Sequence, residues 1–74
     1  MSNRIIVYGA DGCIYTVAAK EDLARRRAPY EYHNVSKEQE ALQRMLEITG
    51  GARLVPVIVE HGNIKIGFGG TCQV

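Results

Sequence analysis

The sequence lacks any hydrophobic run long enough to cross a membrane. Its longest apolar runs, such as Ile5-Ile6-Val7 and Val57-Ile58-Val59, have the length of short β-strands, whereas a membrane helix needs about 20 apolar residues. The chain also lacks a surplus of charge, because 9 lysines and arginines and 8 acidic residues leave a net charge of +1. The composition therefore predicts no membrane partner and no nucleic-acid partner.

Metal-binding side chains are also scarce. The chain has 2 cysteines and 2 histidines, and their spacings are unrelated to any four-ligand zinc pattern. We therefore predict no metal site. The N-terminal residues Met1-Ser2-Asn3-Arg4 lead directly into a predicted strand and leave no room for a signal peptide, which favours a cytoplasmic protein. In a reducing compartment, 2 cysteines are more often catalytic or metal-binding than structural.

The length of 74 residues, with 46% hydrophobic residues and no repeat or linker, predicts one small globular domain over 1–74. The residue patterns predict the order β-α-β-α-β-β. The predicted strands are 4–8, 30–35, 54–60 and 64–68, and the predicted helices are 14–27 and 36–49. We expect a mixed four-stranded sheet packed with two helices, with Ser36 and Gln39 forming a capping box on the second helix.

One cysteine stands at a junction where the first strand passes into the first helix. Cys13 follows the turn residues Asp11-Gly12 and opens the predicted helix. A thiol at a helix N-terminus is kept ionised by unpaired backbone N–H groups and by the positive end of the helix dipole. We expect Cys13 to be exposed and nucleophilic. The alternative is that Cys13 is a small buried hydrophobic residue.

Six short pieces, in order and with matching spacing, resemble a glutaredoxin of the thioredoxin superfamily. They are Gly12-Cys13-Ile14-Tyr15, Ala28-Pro29-Tyr30-Glu31, Asn34-Val35, Thr49-Gly50-Gly51, Val55-Pro56 and Gly69-Gly70. The resemblance extends from Arg4 to about Gly70. It implies a thioredoxin-like fold and a redox-active cysteine that takes part in cell redox homeostasis.

The chain also departs from the glutaredoxin pattern. Thr16 replaces the second cysteine of the motif, which gives Cys-x-x-Thr, and Ala10 replaces a lysine that helps to hold a glutathione carboxylate. The aspartate that follows the Gly-Gly pair is missing, and the chain reaches Val74 without a third helix. The resemblance is therefore to a short glutaredoxin variant.

Further residues are candidates for the site, most of them through the resemblance. Cys72 would be a resolving thiol that pairs with Cys13, because the Gly-Gly segment lies beside the active cysteine in this family. The alternative is an idle thiol near the chain end. Thr16 would donate a hydrogen bond to the Cys13 sulfur, or it would be only a helix residue. The remaining residues would line the substrate groove, with a cis peptide bond before the proline: Tyr15, Val55, Pro56, Gly69 and Gly70.

The function implied is a thiol–disulfide oxidoreductase in which Cys72 or glutathione resolves a mixed disulfide on Cys13. No cofactor is required, although glutathione is a candidate co-substrate. The partners would be disulfide-containing proteins or small molecules, and we expect a monomer. Two alternatives stay open: a monothiol iron–sulfur cluster carrier, and a non-catalytic thioredoxin-fold binding module.

Overall fold

The structure is a computed structural model and describes residues 4–74. Its helices and strands are β1 (Ile5–Gly9), α1 (Ile14–Arg25), β2 (Tyr30–Asn34), α2 (Gln39–Thr49), β3 (Leu54–Val55), β4 (Val57–Glu60), β5 (Asn63–Ile66) and β6 (Cys72–Gln73). The first four elements keep the predicted order, and their bounds shift by three residues at most. None of the helices within 4–74 is both long and apolar enough to span a membrane.

The main sheet has four strands in the order β2-β1-β4-β5. β1 pairs with β2 in parallel, with Ile5 opposite Tyr30, and pairs with β4 in the antiparallel sense. β4 and β5 form an antiparallel hairpin. The predicted mixed four-stranded sheet with two helices is therefore confirmed.

The two helices cover opposite faces of the main sheet. On one face, Ala19 and Leu23 of α1 pack with Ile5, Val7 and Ile58 of the strands. On the other face, the apolar side of α2 packs against the next residues along the same strands. The buried residues of this second cluster are Tyr8, Cys13, Val35, Ala41, Met45, Val55 and Val57. Successive side chains of a strand point to opposite faces of the sheet, so the same strands contribute residues to both clusters.

The buried face of α1 begins at Thr16. The helix buries Thr16, Ala19 and Leu23, and Tyr15 is not among its buried residues. Tyr15 instead packs, half-buried, against the core cluster on the α2 side of the sheet. Positions 16, 19 and 23 are spaced by three and four residues and therefore share one helical face.

The predicted capping box at α2 is wrong. Glu38, not Ser36, is the N-cap residue, and its side chain makes no capping hydrogen bond. The backbone N–H of Ser36 donates to Asn34 Oδ1 at 2.9 Å, and Asn34 O accepts from both Lys37 and Glu38 N–H. Asn34 therefore organises the turn that leads into α2, and Ser36 lies outside the helix.

The predicted strand over 54–60 is two strands in the structure. β3 and β4 are separated by Pro56, and the Val55–Pro56 bond is cis, as the glutaredoxin resemblance implied. β3 does not join the main sheet but pairs with β6, an additional strand that the sequence did not predict. Proline has no N–H group to donate within a sheet, so pairing changes at this residue.

Candidate active site

Cys13 occupies the N-cap position of α1. Its backbone is extended (φ −91°, ψ 118°), its N–H donates to Ala10 O, and its carbonyl accepts the hydrogen bond of Val17 N–H, each at 3.1 Å. These bonds close the turn that follows β1 and start the helix at Cys13 itself. No described side chain caps this helix, and its first turn carries no acidic residue. No carboxylate in that turn therefore offsets the positive end of the helix dipole beside the Cys13 sulfur.

Cys13 and Cys72 are joined by a disulfide bond. Their Cα atoms are 6.0 Å apart, within the usual range for a disulfide of about 4.4–6.8 Å, although 59 residues separate them in sequence. The expectation of an exposed Cys13 is wrong for this state, because the side chain is only 3% exposed. Cys72 and Val74 pack against the same core cluster as Cys13, so the final segment of the chain covers the sulfur.

Val55 and Pro56 lie on the segment that pairs with the cysteine strand. Val55 is opposite Cys72 in the antiparallel register of β3 and β6, and both Val55 and Pro56 are buried. The carbonyl of Pro56 accepts a hydrogen bond from Gly67 N–H at 2.7 Å. The structure thus brings these two predicted groove residues to the strand that carries Cys72.

Of the three other predicted groove residues, Tyr15, Gly69 and Gly70, the structure brings Gly70 close to the ring of Tyr15. A Cβ atom placed on Gly70 would lie 2.5 Å from the Cζ atom of Tyr15, so the ring occupies the space that a side chain at position 70 would need. Gly69 has a φ of 77°, a left-handed conformation that suits glycine. The tail therefore turns and approaches the Tyr15 ring closely before it reaches Cys72.

Thr16 is fully buried behind Cys13. Its Oγ1 accepts a 3.4 Å hydrogen bond from the backbone N–H of Ala10, in the turn before the cysteine. Within residues 4–74, Thr16 makes no hydrogen bond to the Cys13 sulfur in this disulfide state. A hydroxyl contribution to the reduced thiolate stays a prediction.

Arg53 contacts the cysteine strand and was not singled out from the sequence. Its carbonyl accepts the Val74 N–H at 3.0 Å, and its Nε donates to Val74 O at 2.7 Å. Nothing in the local pattern around Arg53 indicates this role, because the contact depends on β6 returning to β3 across 21 residues.

Asp11, in the turn before Cys13, is hydrogen-bonded to the neighbouring strand β2. Tyr32 Oη of β2 donates to Asp11 Oδ1 at 2.8 Å, and this hydrogen bond is the main cause that holds the Asp11 pKa below its usual value. Burial, followed by the same hydrogen bond, raises the pKa of Tyr32. Lys20 Nζ lies 3.9 Å from the centre of the Tyr32 ring, a cation–π contact. The position of the turn is thus determined by β2 as well as by α1.

A cavity of about 230 Å³ lies beside the main sheet, away from the disulfide. Its lining includes Tyr8, His33, Glu38 and Arg44, and does not include Cys13, Cys72 or Pro56. Within the described part of the chain, no group of three or more histidine, cysteine, aspartate or glutamate residues is placed to hold a metal ion.

Comparison with known proteins gives a family for the sequence and a matching fold for the structure. The sequence profile of the glutaredoxin family matches residues 5–64. No curated protein matches the chain by sequence. The crystal structure of the thioredoxin-like protein BC3987 is similar with a TM-score of 0.81 and 31% identity, over 88% of this chain and 88% of that one.

Two solved glutaredoxins show the same fold at lower identity. The glutaredoxin grx-1 from Archaeoglobus fulgidus has a TM-score of 0.77 and 21% identity, over 89% of this chain and 76% of that one. The wheat glutaredoxin has a TM-score of 0.73 and 23% identity, over 89% of this chain and 63% of that one.

Proposed function

The chain belongs to the glutaredoxin family, and from that membership we propose that it is a thiol–disulfide oxidoreductase with Cys13 as nucleophile and Cys72 as resolving thiol. The observation that carries the proposal is the disulfide between these residues at the N-terminus of α1. A cysteine at that position is activated by the helix dipole, and the second thiol comes from a short strand at the far end of the sequence.

The proposed reaction has two exchange steps. The Cys13 thiolate attacks one sulfur of a substrate disulfide, forming a mixed disulfide and releasing the other sulfur as a thiolate. The Cys72 thiolate then attacks Cys13 Sγ, forming the Cys13–Cys72 bond and releasing the second substrate thiolate. The substrate has then gained two electrons. An external thiol reductant, either a dithiol or two molecules of glutathione, returns the protein to the dithiol state.

The disulfide and the apolar surface next to it support this assignment of roles. The bond to Cys72 favours intramolecular resolution over resolution by glutathione, because Cys72 already lies within bonding reach. Ile14 is 70% exposed and Val17 is 38% exposed, in the first turn that follows Cys13. An apolar surface beside the thiol suits a disulfide-containing protein as substrate. Tyr15, Val55, Pro56, Gly69 and Gly70 would line the groove that receives it.

The alternative functions make different demands on Cys13. An iron–sulfur cluster carrier needs the Cys13 thiolate as a ligand, whereas in this structure Cys13 is bonded to Cys72. A non-catalytic binding module needs no reactive thiol at all. Neither alternative accounts for a second cysteine paired with Cys13.

The test is reduction of an aromatic disulfide that releases a coloured thiolate. The pre-reduced wild-type protein should release two coloured thiolates per chain and end with the Cys13–Cys72 bond, as seen by peptide mapping. Cys72→Ser should release one and retain the other as a mixed disulfide on Cys13. Cys13→Ser should react only at the rate of an ordinary exposed thiol. If wild type and Cys13→Ser react equally slowly, the protein is not a catalyst of this kind.

A further inference from the structure

The segment 70–74 occupies the position expected for a substrate. It carries β6, which adds to β3 beside Pro56 and places Cys72 in a disulfide with Cys13. A peptide captured by Cys13 would need that same β3 edge and that same sulfur position. The contacts of the chain's own segment are therefore a guide to the peptide that would fit this position.

The two residues that follow Cys72 alternate in burial, as in a strand on a surface. Gln73 is exposed, whereas Val74 is partly buried and packs against the core cluster that contains Cys13. Arg53 holds the backbone of Val74 through both its carbonyl (3.0 Å) and its Nε (2.7 Å). A peptide in the position of this segment would place the side chain two residues after its cysteine against the core, and the side chain between them in solvent.

The residue two positions before Cys72 lies against the Tyr15 ring. A Cβ atom at Gly70 would fall 2.5–2.9 Å from three atoms of that ring, closer than real Cβ contacts. The ring belongs to a half-buried side chain that packs against the core, so a larger residue at position 70 would push it out of place. Glycine leaves this space to the ring, whereas a peptide with a larger residue at this position would need the Tyr15 ring to move.

We propose that segment 70–74 is a tethered substrate mimic, and that the substrates are extended peptide segments of the pattern Gly-x-Cys-x-apolar. They would add to β3 in the antiparallel register of β6, with their cysteine opposite Val55. The inference rests on the proposed thiol–disulfide exchange at Cys13, and it adds the class of segment that this site selects.

The exchange steps then include an exchange of strands. The substrate segment takes the β3 edge while Cys13 Sγ bonds to its cysteine sulfur and the other substrate sulfur leaves as thiolate. When the Cys72 thiolate attacks Cys13 Sγ, the substrate thiolate is released and β6 returns to β3. Because both strands need one edge, the tethered segment competes with substrate in the reduced protein.

The first test uses synthetic peptides and the Cys72→Ser protein, which traps mixed disulfides. The parent peptide has the sequence of residues 69–74, Gly-Gly-Thr-Cys-Gln-Val, with its cysteine activated as a disulfide to a coloured aromatic thiol. Attack by Cys13 releases the coloured thiolate, and the rate of release is measured. Three variant peptides place alanine at the glycine matching Gly70, aspartate at the residue matching Gln73, or aspartate at the residue matching Val74.

Aspartate at the Val74 position should slow release by about tenfold, the loss expected when an apolar contact of this size is removed. Alanine at the Gly70 position should also slow release, whereas aspartate at the Gln73 position should leave the rate unchanged and controls for charge. If all four peptides react at equal rates and a small aromatic disulfide also reacts, the proposal that segment 70–74 mimics a substrate is wrong. The proposed thiol–disulfide exchange at Cys13 would still hold. Failure of the small disulfide and every peptide to react would overturn the proposed function itself.

The second test measures competition by the tethered strand within the full chain. In the Cys72→Ser background, Val74→Asp should loosen β6 and speed reaction with the parent peptide several-fold. Gln73→Asp adds the same charge on the exposed side of the strand and should leave the rate as it was. Equal rates for the two variants would show that the segment does not occupy the β3 edge in the reduced state, and would overturn the competition.

Discussion

At the scale of single residues, the environment of Cys13 depends on close packing between Gly9 and Thr16. A Cβ atom built on Gly9 would overlap the Thr16 side chain, with its Oγ1 at 2.8 Å and its Cβ at 3.1 Å. Thr16 is fully buried and bonds to Ala10 N–H, so it has little space into which to move. The missing side chain at Gly9 is what allows the first turn of α1 to approach β1.

We therefore expect Gly9→Ala to destabilise the protein by about 1–3 kcal/mol, the usual cost of an overpacked core. The variant Thr16→Ala removes most of the overlapping atoms, so the double variant should be more stable than the sum of the two single effects predicts. Denaturant unfolding of all four proteins measures this coupling. Strict additivity would mean that Gly9 is not constrained by Thr16. The Gly12→Ala variant is the matched control, because a Cβ at Gly12 has no neighbour within 4 Å.

A second prediction at this scale concerns glutathione and Ala10. Ala10 stands where most glutaredoxins carry a lysine that contacts a glutathione carboxylate, so we expect weak glutathione binding. A charge-assisted hydrogen bond is worth about 1.5–3 kcal/mol, or about tenfold or more in affinity. Ala10→Lys should therefore increase glutathione-dependent turnover, measured as disulfide reduction coupled to glutathione oxidation. The matched control is Ala18→Lys, on a partly buried position of α1. An equal gain from both lysines would indicate a general charge effect.

At the scale of secondary-structure elements, His33 connects β2 to the start of α2. Its Nε2 lies 2.6 Å from Glu31 Oε2 of the same strand, and its Nδ1 lies 3.3 Å from Glu38 Oε1 at the N-cap of α2. The ring also stacks on Tyr8 of β1, with centroids 5.7 Å apart. Both ring nitrogens of His33 therefore have carboxylate partners, and the ring links β2 to α2.

Because His33 pairs with two carboxylates, its protonation should make the stability of the folded protein depend on pH. Burial of the ring lowers the pKa of His33, but the hydrogen bonds to Glu31 and Glu38 outweigh it and hold the pKa above its ordinary value of 6.5. A raised pKa in the folded state means that the stabilisation is complete below pH 6.5 and is lost as the pH rises through the folded pKa. The contribution should stay below ~1 kcal/mol, because these side chains lie near water.

Thermal unfolding at a series of pH values from about 5 to 9 measures the effect. The wild-type melting temperature should fall, relative to that of His33→Gln, as the pH rises across this range. His61→Gln serves as the control, since His61 is exposed in the β4–β5 turn. A constant difference between wild type and His33→Gln would mean that the protonated ring contributes no stability.

At the scale of the whole molecule, the Cys13–Cys72 bond closes most of the chain into a loop. The two residues are 59 apart in a chain of 74. Restricting an unfolded chain in a loop of this size stabilises the folded state by about 4 kcal/mol in the loop-entropy model. A domain of this size buries only about 60% of its unfolded surface, so we expect this bond to contribute a large part of its stability.

We expect oxidation to raise the melting temperature clearly, but by less than the loop-entropy figure implies. A change of 1 kcal/mol shifts the melting temperature of such a domain by roughly 4–8 °C. The proposed reaction requires a bond that can be reduced, so we expect less than the full stabilisation. Calorimetry with and without a thiol reductant measures the shift. Cys72→Ser should melt at one temperature under both conditions. Identical wild-type curves, with no Cys13–Cys72 peptide found by mapping, would make Cys72 an idle residue and the protein a monothiol enzyme.

The sequence by itself determined the parts of the fold that depend on neighbouring residues. Hydrophobic alternation and helical periodicity located β1, α1, β2 and α2. Helix α2 ends at Gly50, whose φ of 72° is a left-handed conformation that favours glycine. The junction position of Cys13 was also readable, because a strand, a turn and a helix follow one another within a few residues. These features are local, so short windows of sequence contain them.

Only the tertiary structure decided the arrangement around the disulfide. β6 has two residues and no hydrophobic pattern of its own, and it is a strand because β3 supplies its hydrogen-bonding partner. The contacts of Arg53 with Val74 and of Gly70 with Tyr15 join segments 21 and 55 residues apart. The burial of Cys13 follows from the same long-range pairing. Contacts between distant segments arise when layers pack on a shared sheet, and no local pattern of residues specifies them.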